Sequence, residues 1–223
     1  MPNVRTGVLI FNSGNNLIGG DYSTHGNLIS GNKRHGINID GEAGRPIMST
    51  ALGGCGFTQN NRIYGNRIGV DITGNQALPN GKQGIYVFVA GHTFIGGPSP
   101  TMTNVISANK GQGVLIIGPN PNTVDWRYYV RLSDTRQELK TNIRCVGPEN
   151  DNTVEKNIVQ NNTIGLAYSS GAFLPNGRHA VLITHSGENN VIGNRIGFSD
   201  KSISIVGATA KNNIVRDNIE RDN

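Results

Sequence analysis

Residues 7–39 return at residues 84–116 without a gap, and this echo constrains the fold more than any other feature of the chain. Gly7, Phe11, Gly14, Ile18, Gly19, Gly20, Asn27, Ile29, Ser30, Asn32, Lys33 and Gly36 each recur 77 positions later. A second echo runs at a shift of 96. There Asn66, Ile68, Gly69 and Leu78-Pro79-Asn80-Gly81 return as Asn162, Ile164, Gly165 and Leu174-Pro175-Asn176-Gly177. Fixed shifts of this kind mark a chain built by stacking one supersecondary unit. Gly7, Gly36 and Gly84 divide the unit of the first echo into a shorter part and a longer one. The next equivalent of Gly113 is Ala180, so about 19 extra residues lie between Gly118 and Val154.

Apolar residues come in short alternating pulses, such as Val8/Ile10, Leu17/Ile18, Leu28/Ile29, Ile37/Ile39 and Ile85/Val87. That period belongs to strands, and the pulses are too short for helices. Gly, Asn, Ser and Asp between them tolerate left-handed and turn conformations. Regular short strands also suit a sandwich or barrel, but the constant spacing of both echoes favours a solenoid, in which equivalent residues stack. Strands about 4.8 Å apart then pile Ile on Ile inside and Asn on Asn at the turns, where amides can bond along the stack. The chain holds 30 Asn, many at equivalent places (Asn27/Asn104, Asn32/Asn109, Asn66/Asn162, Asn80/Asn176).

The motifs are Asn66-Arg67-Ile68-Gly69-Val70-Asp71, Ala77-Leu78-Pro79-Asn80-Gly81 and Gly84-Ile85-Tyr86-Val87. The pattern resembles the Asn/Gly-rich right-handed parallel β-helix repeats of large bacterial surface proteins, and the pectate-lyase-like superfamily in shape. The resemblance covers 7–117 and 152–219. It implies an all-β, single-domain parallel β-helix over 1–223, interrupted at 119–151, at the cell surface or secreted. With roughly 24 residues per turn, about nine coils are expected.

The segment 119–151 breaks the echo. It carries the only Trp, Trp126, with Arg127, Tyr128, Tyr129, Arg131, Asp134 and Glu138. Rings beside charged forks suit a sugar, with the ring on the pyranose face and the forks on hydroxyls or carboxylates. These seven residues are the candidate ligand site. The competing reading is a hairpin packed back on the helix, or an oligomer contact. Catalytic residues are not identified. A glycoside hydrolase needs two carboxylates roughly 5–9.5 Å apart, yet the echoes align Asp71 with Ala167, Asp21 with Pro98 and Asp40 with Ile117. No carboxylate column emerges. The resemblance to lyases implies clustered Asp for calcium and an Arg or Lys base, and that set is missing, as are the Gly-His-Gly and paired-Asp motifs of polygalacturonases. No cofactor is expected, with calcium considered only for a lyase. Asp71 is expected to cap local amides. The five His residues do not repeat and are expected at the surface.

The net charge of +5 (pI near 9.4) is scattered rather than striped, which disfavours nucleic acid. No apolar run approaches the ~18 residues of a membrane span, and no signal peptide is visible. Cys55 and Cys145 follow equivalent corners, leaving both a disulfide and two free thiols open; no His or Cys pair has zinc-ligand spacing. Repeats reaching both ends without cap helices suggest a piece of a longer protein, with homo-oligomers through the ends or the insertion. Charged Arg216, Asp217, Glu220, Arg221 and Asp222 blunt the last edge in the opposing reading. Three functions follow: a surface β-helix contacting polysaccharide, a structural spacer or fibre segment, or a polysaccharide lyase, hydrolase or epimerase without recognisable motifs.

Overall fold

The computed structural model describes residues 3–22, 24–41, 58–118, 156–198 and 200–222. The seven candidate site residues, and Cys55 and Cys145, lie outside them. The described chain forms three parallel sheets of six strands. The first sheet, in order, is β1 (Val8–Phe11), β4 (Ile37–Asp40), β7 (Ile85–Phe88), β10 (Val114–Ile117), β13 (Val181–Thr184) and β16 (Ile203–Val206). The second is β2 (Leu17–Gly19), β5 (Arg62–Tyr64), β8 (Phe94–Ile95), β11 (Ile158–Gln160), β14 (Asn190–Ile192) and β17 (Ile214–Arg216). The third is β3 (Leu28–Ile29), β6 (Arg67–Ile68), β9 (Val105–Ile106), β12 (Thr163–Ile164), β15 (Arg195–Phe198) and β18 (Ile219–Asp222). Each coil contributes one strand to each sheet, so this is an all-β parallel solenoid.

The described residues form six coils, not the nine expected. They enter the first sheet at Val8, Ile37, Ile85, Val114, Val181 and Ile203, which stand in register but at very unequal distances along the chain. Dividing the length by one uniform turn length overcounts the coils that the described residues form. Part of the excess is two short excursions at 70–77 and 166–173, each closed by an antiparallel bridge, Val70 to Ala77 and Leu166 to Phe173. The first echo therefore spans two coils, a compact one from Val8 and a longer one from Ile37.

A physical reason for the two-coil period is visible at the excursion roots. In coil one, Ser30 Oγ donates to Val70 O at 2.7 Å and accepts from Gly69 N at 2.9 Å. In coil three, Ser107 Oγ donates to Leu166 O at 2.9 Å and accepts from Leu166 N at 3.1 Å. Compact coils thus brace the hairpin-bearing coils above them. The hairpins also meet each other across coil three: Tyr168 N donates to Gly74 O at 2.9 Å, and Ser169 N and Oγ to Asn75 Oδ1 at 3.0 and 2.9 Å.

Apolar columns fill the interior. Ile18, Ile63, Ile95, Val159, Val191 and Val215 line the second sheet. Ile29, Ile68, Ile106, Ile164 and Ile196 line the third until Glu220 takes the sixth place. Most of these side chains in the inner coils are fully buried.

Asn residues close the corners. The ladder before the third sheet is complete: Asn27, Asn66, Asn104, Asn162, Asn194 and Asn218. Each of the first five donates both backbone N–H and Nδ2–H to Oδ1 of the Asn in the next coil, at 2.9–3.3 Å. From Asn66 onward, the second Nδ2–H reaches back to a carbonyl of the preceding coil, as in Asn104 to Ile63 O at 2.7 Å and Asn162 to Ile95 O at 2.9 Å. Shorter ladders join Asn3, Asn32, Asn80, Asn109 and Asn176, and Asn157, Asn189 and Asn213. A buried amide with all its groups paired avoids the cost of desolvating them unmet.

Candidate functional site

The outward face of the first sheet is the most distinctive surface among the described residues. Strand alternation sends every second side chain outward. Parallel pairing then sets two columns: Leu9, Asn38, Tyr86, Leu115, Leu182 and Ser204, and Phe11, Asp40, Phe88, Ile117, Thr184 and Val206. Leu9 and Phe11 are 60% and 49% exposed, and Tyr86 and Phe88 are half-buried. The rings of Tyr86 and Phe88 lie 6.0 Å apart at 12°, and His35 stacks on Tyr86 at 4.9 Å and 14°. Three near-parallel rings thus form a short platform, with Asn38 and Asp40 in the neighbouring strand. Burial, and then the nearby Asp40, push the Tyr86 hydroxyl above its ordinary range. The Tyr86 phenol therefore stays protonated at physiological pH and can donate a hydrogen bond.

Asp40 is the single carboxylate on this face among the described residues, and its register partners are Phe11 and Phe88. Two acids flanking a glycosidic bond are therefore not brought together on this face. Among the described residues no group of three or more His, Cys, Asp or Glu is placed to hold a metal ion.

A second cluster sits where the hairpins leave the third sheet. The Arg67 guanidinium lies over the Tyr168 ring at 5.6 Å and that of Arg221 over Phe173 at 5.4 Å. Arg195 points to the same hairpin, with Nη2 beside Gly171. Cation–π contacts hold the Arg67 and Arg221 side chains against the hairpin rings. The acid of the other hairpin, Asp71, is otherwise engaged. It accepts from Thr73 Oγ1 at 2.8 Å, Asn75 N at 3.0 Å and Gln76 N at 3.1 Å. Desolvation opposes its charge, and these hydrogen bonds outweigh it and lower its pKa. The capping role expected from the Ile-Gly-x-Asp turn is what Asp71 performs.

His35 departs from expectation. It is not a surface histidine: it is 8% exposed and occupies a corner column with Gln83, Gln112 and His179, each separated by one residue from the first-sheet strand that follows. Gln83 Nε2 donates to Gln112 Oε1 at 2.7 Å. Burial, then Lys82 and Arg34, lower the His35 pKa from 6.5 to about 4. A folded value below the unfolded one means the unfolded chain binds the extra proton first. Stability is therefore complete above pH 6.5 and is lost as pH falls toward about 4. Allowing for solvent access, the loss is about 2 kcal/mol. A melting series from pH 7 to 4 checks it: His35→Gln, which repeats the side chain of Gln83 and Gln112, is expected to flatten most of the fall. His179, lowered by burial first, contributes in the same direction.

We compared the chain with protein-family models, curated proteins and solved structures, and none matches. The functional reading therefore rests on the molecule's own surfaces. The platform is hard to see in the sequence because Phe11 and Phe88 echo each other and so read as scaffold. The signal that finds it is the alternation Ile85-Tyr86-Val87-Phe88, with the apolar β-branched pair inward and the rings outward.

Proposed function

We propose that this chain is a surface or secreted β-helix, right-handed and of pectate-lyase-like shape, that contacts polysaccharide. The single observation that supports this reading is the His35–Tyr86–Phe88 platform beside Asn38 and Asp40. The rings stack on one another, so the stack would offer its outer apolar surface to a pyranose, with amide and carboxylate groups beside it to meet hydroxyls. A face that runs across successive coils suits an extended polymer better than a compact ligand. Trp126, Arg127, Tyr128, Tyr129, Arg131, Asp134 and Glu138 belong to the same proposal, as a segment that follows β10 of this sheet in the chain.

Glycan-array binding by the wild type, Tyr86→Ala/Phe88→Ala and Trp126→Ala tests it. The wild type is expected to retain at least one glycan, and the platform variant to lose about tenfold in affinity or more, with unchanged melting as the folding control. If neither wild type nor variants bind any glycan, the reading is wrong. The second reading is a structural spacer. Its support is the share of polar chemistry committed to the Asn ladders, which build a rod and leave those amides no ligand to hold. A lyase or hydrolase is the third; among the described residues Asp40 is the single carboxylate on the platform face, which counts against a hydrolase.

A further inference from the structure

We propose that copies of this chain join end to end, the sixth coil of one seated on the first coil of the next, and that Glu220 is the brake on this contact. Among the described residues, the coils end in three unpaired strand edges on each side, β1–β3 and β16–β18, all running in the same parallel sense. Such edges template further pairing.

The two ends complement each other in detail. Continuing the register places Ile203 and Ile205 over Val8 and Ile10, and Val215 over Ile18. These are the pairings that the inner coils already use. The exposures agree. Val215 is 43% exposed although Val159 and Val191 of its column are fully buried, and Ile10, Ile18 and Ile29 are the most open residues of their columns in the core.

The Asn ladders add a direction. Every rung donates toward the later coil. Among the described residues, Asn213 and Asn218 therefore end the ladders with backbone N–H groups and one Nδ2–H each that meet no later coil. Asn16 and Asn27 begin them with Oδ1 atoms that accept from no earlier one. Donors at one end face acceptors at the other only when copies stack head to tail. A head-to-head contact would oppose donor to donor. A heterologous contact of this kind propagates as an open rod.

One column opposes the contact. In the third sheet Glu220 occupies the place of Ile68, Ile106, Ile164 and Ile196, and stacking would set its carboxylate on Ile29 of the next copy. Burying an unpaired carboxylate is costly, and an inward-pointing charge on an edge strand guards against edge-to-edge growth.

Sedimentation velocity on the full chain and on Glu220→Ile is the first test. The variant is expected to associate at a concentration at least about a hundredfold below that needed by the wild type. The second test fixes geometry rather than stickiness. In the Glu220→Ile background, Leu9→Cys with Ser204→Cys places two outward positions on neighbouring parallel strands across the junction. Mild oxidation is expected to give a ladder of covalent dimers, trimers and higher species, with each single-cysteine variant matching its Glu220→Ile parent. A Glu220→Ile chain that stays monomeric at every concentration overturns the proposal. So does association without the pair-dependent ladder, since that would be unspecific clustering of an apolar end.

Discussion

Asn104→Ala is expected to destabilise the chain by about 3–5 kcal/mol. Asn104 sits in the middle of the six-membered ladder and is fully buried. Its Oδ1 accepts from Asn66 N at 2.9 Å and Asn66 Nδ2 at 3.1 Å, and its Nδ2 donates to Ile63 O and Asn162 Oδ1. Alanine leaves the Asn66 backbone N–H unmet and removes one of three acceptors around Asn66 Nδ2, which keeps Ile18 O and Tyr64 O. It also takes from the Ile63 carbonyl one of two donors, the other being Gly96 N. Water does not reach these groups in the closed coil interior. The informative comparison is Asn16→Ala, at the start of another ladder and half-exposed. Water replaces its partners there, and about 1 kcal/mol or less is expected. Urea unfolding of both variants measures the contrast. Equal losses would mean the ladder adds nothing beyond local turn formation.

Gly69→Ala is expected to cost on the order of 4 kcal/mol, for two reasons that add. Gly69 has φ +85°, a left-handed conformation that a side chain disfavours. A Cβ there also overlaps the Ser107 carbonyl oxygen and Asn109 Oδ1 of the next coil. Neither neighbour can yield freely, because Ser107 and Asn109 belong to the brace and the ladder. Gly74 provides the control. Its φ is +77°, but it lies at a hairpin tip where a Cβ meets the Tyr168 side chain at 3.0 Å and no backbone. Gly74→Ala therefore carries the conformational cost with little of the steric one, about 1 kcal/mol. Melting temperatures separate the two, and a Gly69→Ala chain as stable as Gly74→Ala would show that coil spacing relaxes easily.

Both predictions concern residues that the echoes expose. Asn27 and Asn104 align in the first echo because they stand two coils apart in one ladder, and Ile29 and Ile106 align for the same reason. What the echo conceals is the coil between. Asn66 belongs to that ladder, yet it lies 39 residues from Asn27 and 38 from Asn104, and neither spacing repeats elsewhere along the ladder. The hairpin at 70–77 and the differing corner lengths hide the single-coil period, so an average turn length overcounts the coils. The outward platform was hidden by a different cause. Repetition marks whatever stacks, inside or outside, and Phe11 and Phe88 stack on the outside. Burial, not recurrence, separates scaffold from surface, and it is read from strand alternation.

The bracing serines have a consequence for how such a chain can change length. Ser30 and Ser107 belong to coils without hairpins and hold the roots of hairpins in the coils that follow. Removing or duplicating one coil would set two hairpin coils, or two bracing coils, in succession, leaving a root unsupported or a hydroxyl unused. Adding or losing a pair keeps every serine under a hairpin. Coils one to four are thus built in steps of two, whereas coils five and six, where Gly197 stands in the serine's place and neither carries a hairpin, follow without that restriction.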